Sequence, residues 1–254
     1  MSRKKMPRKR TGMFEKLFYI FVPFLIYTVA KTFAMLTMSM VVSSIPSQNG
    51  QVWIQDHEYM LSAVINALAS IAGVAFIVKD FLIEVAVTGE IDIDQGRFQQ
   101  FFAWVTCGVS RIKEKALQLA GVAVIGGVSA VGLNFLISLL PITSANYDNV
   151  EQIQYSVPIW LGLILYGLVS PIVEEIVFRG LTYNRMKRFF KHIPCVLVTA
   201  ILFGGFHANL PQFLYGTLMG ILMTVCYDRV KSFSAPVVFH MAANIFVFLS
   251  STLG

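Results

Sequence analysis

The chain is 254 residues long, 56% hydrophobic and 13% charged, with a mean hydropathy of +0.67. A soluble domain carries about 25% charged residues, so this composition excludes one and indicates a single integral membrane domain. The net charge of +6 does not point to nucleic acid, because the basic residues cluster beside apolar stretches, as topology signals do.

In chain order, residues 1–13 form a basic N-terminus, "MSRKKMPRKRTGM". No small-residue cleavage site follows the first apolar stretch, and the stretch is too long for a signal peptide, so it reads as a retained span. A spanning helix needs about 20 apolar residues. Seven segments qualify, near 14–44, 59–79, 116–140, 158–182, 194–209, 211–228 and 235–252, the fifth being short and followed by a turn at "HANLPQ". Phe98, Phe101, Phe102, Val105, Val109 and Ile112 recur at helical spacing, which predicts a cytosolic interfacial amphipathic helix near 96–115. The fold class is therefore all-α, a polytopic membrane helix bundle. Residues 14–157 supply N-terminal membrane helices and 158–254 a membrane core that carries the polar motifs.

With the N-terminus cytosolic, residues 79–116, 179–192 and 228–234 also fall inside, and 19 of the 20 Lys and Arg lie in or beside inside segments. The outer loops 46–58 and 141–157 hold Asp56, Glu58, Asp148 and Glu151 and no basic residue. Seven spans then put the C-terminus outside. The exception, Lys31, reads as a side chain snorkelling to an interface. Cys107, Cys195 and Cys226 form no CxxC and read as free thiols.

Three polar clusters lie within predicted spans: Glu174, Glu175 and Arg179; Phe203 and His207; His240 and Asn244. At 1.5 Å per residue, Glu174, His207 and His240 stand about 17, 23 and 14 Å from the basic ends of their helices, a shared depth. Each ionisable group costs a few kcal/mol in lipid, so three clusters at one level suggest one site. Glu175 and Arg179 are i,i+4 and read as a structural ion pair. Adjacent Glu174 and Glu175 point about 100° apart and are not expected to face one partner. Glu174, left unpaired, is the candidate general base. His240 and Asn244, also i,i+4, share a face. Gly216 and Gly220 have the spacing of a close helix contact.

These residues resemble the CPBP family of intramembrane proteases, which includes type II CAAX prenyl endopeptidases and bacteriocin-processing proteins. Its pattern EExxxR, FxxxH, HxxxN reads here as "EEIVFR" (174–179), "FGGFH" (203–207) and "HMAAN" (240–244). The resemblance covers about residues 158–250. It implies hydrolysis of a membrane-associated peptide or protein near the cytosolic face, with Glu174 activating water, His207 helping to position it and His240 with Asn244 forming an oxyanion hole. It also suggests a bacterial cell membrane. No cofactor is expected. The alternative is Zn²⁺ held by Glu174, His207 and His240, which would leave no second carboxylate obviously free as base. Two other functions stay open: a non-catalytic membrane regulator or bacteriocin-immunity protein, and a transporter, against which no inverted repeat is visible. The expected partners are membrane lipid and the peptide or protein substrate.

Overall fold

The computed structural model describes residues 12–45, 47–87, 113–142, 154–207 and 209–253. Every element among them is a helix. α1 is Met13–Ser43, α2 the short Gln48–Asp56, α3 Glu58–Val87 and α4 Ala116–Ser138. α5 is Ile159–Met186, α6 His192–Gly205, α7 Leu210–Val230 and α8 Ser234–Leu253. The predicted interfacial helix lies almost wholly outside the described residues, as does Cys107, whereas Cys195 and Cys226 are free thiols.

Six of these helices, α1, α3, α4, α5, α7 and α8, are long and apolar enough to cross a membrane. All seven predicted spans are helical, but α6 has only 14 residues, about 21 Å of helix, and stops short of the roughly 30 Å apolar core. It packs along α7 as a hairpin. Gly216 and Gly220 make this approach possible: a Cβ on either would lie 3.0 Å from the Cα of Gly204 or Ala200. α7 begins where the Asn209 side chain accepts from Gln212 N at 2.9 Å with Pro211 in the first turn. It ends at Lys231, whose left-handed φ of 55° terminates the helix.

α5 is the buried centre, with Val177, Phe178, Arg179, Leu181 and Tyr183 fully enclosed. α1 and α3 pack against its second half, and α8 lies between α5 and α4. The outward faces carry Val29, Phe33, Phe76, Val124, Val128 and Phe135, all more than 60% exposed, a surface suited to lipid.

The segments assigned by charge to one side do meet at one end of the bundle. Arg185 on α5 reaches Asp80 at 2.6 Å and Glu84 at 3.0 Å on α3, and the Tyr19 carbonyl on α1 at 2.9 Å. Arg188 pairs with Glu84, which is 1% exposed. Asp228 at the end of α7 accepts from Tyr183 and pairs with His192 at 2.6 Å and Lys187 at 3.3 Å. Lys115, just before α4, donates to the Val230 carbonyl.

Candidate active site

The site is built on an irregular stretch of α5. Two wide π-type segments, Leu165–Val169 and Ile176–Tyr183, flank the α-helical turn Ser170–Glu175. Pro171 explains the first. The Ser170 N–H bonds back five residues to the Leu165 carbonyl, and continuing that pattern would give the Tyr166 carbonyl to residue 171. Proline has no N–H to offer. The Tyr166 carbonyl is taken instead by Asn244 Nδ2 on α8 at 2.9 Å. The break in α5 thus fixes the second residue of the HxxxN pair, and π-type interruptions often mark functional positions.

Glu175 is fully buried. Its Oε1 accepts from Arg179 Nη1 at 2.7 Å and from His240 Nδ1 at 3.0 Å. Arg179, also fully buried, spends its other donors on the Gly220 carbonyl at 3.0 Å and Thr224 Oγ1 at 3.4 Å, and its guanidinium lies 4.7 Å from the Phe203 ring centre. The predicted ion pair is therefore present, yet the expectation that the two glutamates would not face one partner is overturned. Glu174 Oε2 lies 3.9 Å from His240 Nε2. An imidazole carries nitrogens on two edges, so a ring wedged against α5 meets carboxylates that diverge by about 100°.

Phe203 packs the site from α6, 3% exposed. The edges of His207 and His240 meet its ring at centroid distances of 5.3 and 5.4 Å. His207 follows the end of α6, and its Nδ1 donates to the Phe203 carbonyl at 3.0 Å. A carbonyl only accepts, so this bond puts a proton on Nδ1 and leaves Nε2 unengaged by it. Ser170 Oγ donates to Glu174 Oε1 at 2.5 Å, which holds that carboxylate from one turn earlier on the same helix.

These groups line one cavity of about 310 Å³, bordered by Glu174, His207, His240, Asn244, Phe203 and Ser170. The structure thus brings together all four predicted catalytic residues. It also adds contributors from the N-terminal helices: Lys31, Asn66 and Asn134 line the same cavity. Lys31 does not snorkel to an interface; its Nζ lies 5.1 Å over the Phe206 ring. Ser170 was legible in principle as the i−4 neighbour of Glu174, whereas Lys31, Asn66 and Asn134 had no local signal.

Among the described residues, no three His, Cys, Asp or Glu groups converge closely enough to hold an ion. Glu174 Oε2 and His240 Nε2 stand 3.9 Å apart, and the bond from His240 Nδ1 to Glu175 leaves Nε2 unengaged by that contact.

The bundle and its charged core define a polytopic helical membrane protein with an intramembrane polar site. Residues 156–246 match the family model of type II CAAX prenyl endopeptidase Rce1-like proteins, and over this segment the resemblance read from the motifs holds. The chain is 33% identical over 108 residues to the "Putative membrane peptidase YdiL" of Bacillus subtilis (strain 168), covering 41% of this chain and 42% of that protein. It is 31% identical over 94 residues to the "UPF0177 protein YbdI" of Lactococcus lactis subsp. lactis (strain IL1403), covering 36% of this chain and 50% of that protein. The chain thus matches half or less of the length of each of these relatives. No solved structure matches it.

Proposed function

We propose that the chain is an intramembrane endopeptidase of a bacterial cell membrane, hydrolysing a peptide bond of a membrane-associated peptide or protein near the cytosolic face. One observation carries this reading: His240 is anchored by Glu175 through Nδ1, which leaves its Nε2 and the Glu174 carboxylate facing one cavity. A purely structural ion pair has no use for the second glutamate. The Rce1-like match over the same segment and the peptidase name of one relative support the reading.

In this mechanism a water in the cavity gives one proton to Glu174 as its oxygen attacks the substrate carbonyl carbon. The lone pair of His207 Nε2 accepts the other water hydrogen and orients the attack. Negative charge builds on the carbonyl oxygen. His240, as imidazolium, donates to it from Nε2, and Asn244 offers the N–H of Nδ2 not bonded to Tyr166. Collapse breaks the C–N bond, and Glu174 returns its proton to the leaving amine. No step in this scheme passes through a metal.

Comparative peptidomics of membranes from the wild type and a Glu174→Ala strain tests the proposal. A peptide product present only in the wild type supports hydrolysis and identifies the substrate. Identical peptidomes, with a membrane partner still captured by both proteins, would establish the regulator or immunity reading instead.

A further inference from the structure

The cavity holds one lysine in a setting that a lipid-facing helix does not require. Lys31 is the one Lys or Arg among the described residues that line it. No carboxylate lies within ion-pair distance of it among those residues; its Nζ sits over the Phe206 ring, and Glu174 lines the same cavity. An ammonium without a direct ion-pair partner within a membrane domain is costly and points to a binding or transport site. Asn66 on α3, Asn134 on α4 and Gln154 also line the cavity. Their side-chain amides have no hydrogen-bond partner among the described residues. Each is half-buried on the cavity wall and offers a donor and an acceptor, the complement of a peptide group.

Resting on the peptidase reading, we propose that Lys31 is a specificity-determining residue that binds a carboxylate of the substrate peptide beside the bond held at Glu174, while Asn66, Asn134 and Gln154 engage the peptide backbone. The cavity volume of about 310 Å³ suits a short peptide stretch better than a two-chain lipid. The ammonium offsets the repulsion that Glu174 would exert on an anionic substrate. The carboxylate is either the peptide's own C-terminus or an Asp or Glu side chain.

The test reads binding apart from cleavage. Full-length Glu174→Gln protein in nanodiscs is exposed to a synthetic apolar peptide library in three forms: free acids, C-terminal amides and full methyl esters. Retention of the free acids at least about tenfold over the esters is expected, the worth of one charge-assisted hydrogen bond. Adding Lys31→Met should bring the two to parity, and adding Lys31→Arg should keep the preference. Amides that bind as poorly as esters assign the contact to the C-terminus; amides bearing Asp or Glu that bind as well as acids assign it to a side chain. Equal retention of acids and esters by the Lys31 protein overturns the proposal. So does a preference that survives Lys31→Met, or loss of a bound anionic lipid, seen by native mass spectrometry, as the sole effect of that change. Lys31-dependent retention with no cleavage by the wild type would refute the peptidase reading and leave the carboxylate site standing.

Discussion

His240 donates from Nδ1 to Glu175 Oε1 across 3.0 Å, and the same carboxylate oxygen receives Arg179 at 2.7 Å. Glu175 therefore both neutralises a buried arginine and fixes the aim of a site histidine. Among the described residues, its neighbour Glu174 is held by Ser170 and the more distant edge of His240. The two glutamates should separate cleanly on mutation. Glu174→Gln keeps shape and removes the base, so hydrolysis should be lost while the melting temperature in detergent stays near wild type. Glu175→Gln leaves Arg179 without its ion pair, and removing one partner of a buried pair costs about 3–5 kcal/mol. Its melting temperature should fall and the residual activity should drop as His240 loses its anchor. A stable, inactive Glu175→Gln protein beside an active Glu174→Gln protein would reverse these roles.

Oxyanion stabilisation is tested at the other end of the HxxxN pair. Asn244→Ala should lower kcat by about 10²–10³, the loss of roughly 2.7–4 kcal/mol seen when one such donor is removed. Because Asn244 also closes the Tyr166 carbonyl, some loss of stability should accompany it. Asn244→Asp separates the effects, since it keeps the size and places a negative charge where the oxyanion forms. Wild-type kcat in Asn244→Asp would remove Asn244 from the mechanism.

Gly126 on α4 bears on His240 from behind. A Cβ there would fall 2.5 Å from the Phe239 carbonyl, a backbone atom that cannot turn aside. Gly126→Leu should push α8 outward and destabilise the fold by about 1–3 kcal/mol, as overpacking does. The accompanying shift of His240 should depress kcat more than KM. A kcat unchanged by Gly126→Leu would show that α4 does not set the position of the histidine.

Metal dependence is decided by chelation. Activity of purified protein should survive dialysis against a strong Zn²⁺ chelator, and elemental analysis should find well under one equivalent of zinc. Complete loss with rescue by Zn²⁺ alone would make Glu174, His207 and His240 ligands and would overturn the water-activation scheme.

Topology follows from charge. A cysteine placed at Ser47, between α1 and α2, should react with an impermeant thiol reagent added outside intact cells, and a tag on the C-terminus should be reached from outside as well. Labelling at Ser47 only after permeabilisation would invert the assignment. Because α6 is shorter than the apolar core, the C-terminal tag also reports whether the α6–α7 hairpin crosses the membrane.

Sequence alone determined the long apolar helices, though not the short α2 within the stretch read as an outer loop, together with the end of the bundle where charge collects and the identity of the polar residues at the site. Those features are local or compositional: an apolar run of sufficient length forms a spanning helix, since lipid leaves the backbone no other way to satisfy its hydrogen bonds, and ionisable groups within such runs are too costly to be incidental. A close helix contact on α7 was equally legible, from two glycines four residues apart, although only the structure shows that α6 makes it. Tertiary structure alone decided how the groups meet. An ideal helix sends Glu174 and Glu175 in different directions, and nothing in the chain says that one imidazole will wedge between them. The π-type geometry of α5 hands the Tyr166 carbonyl to Asn244 through an absence, the missing N–H of Pro171, which has meaning only once α8 lies alongside. Lys31 shows the limit most directly. Its neighbours in sequence are those of any lysine near the end of a span, and only the packing of α1 against the turn after α6 brings its ammonium over Phe206 and into the cavity that holds Glu174.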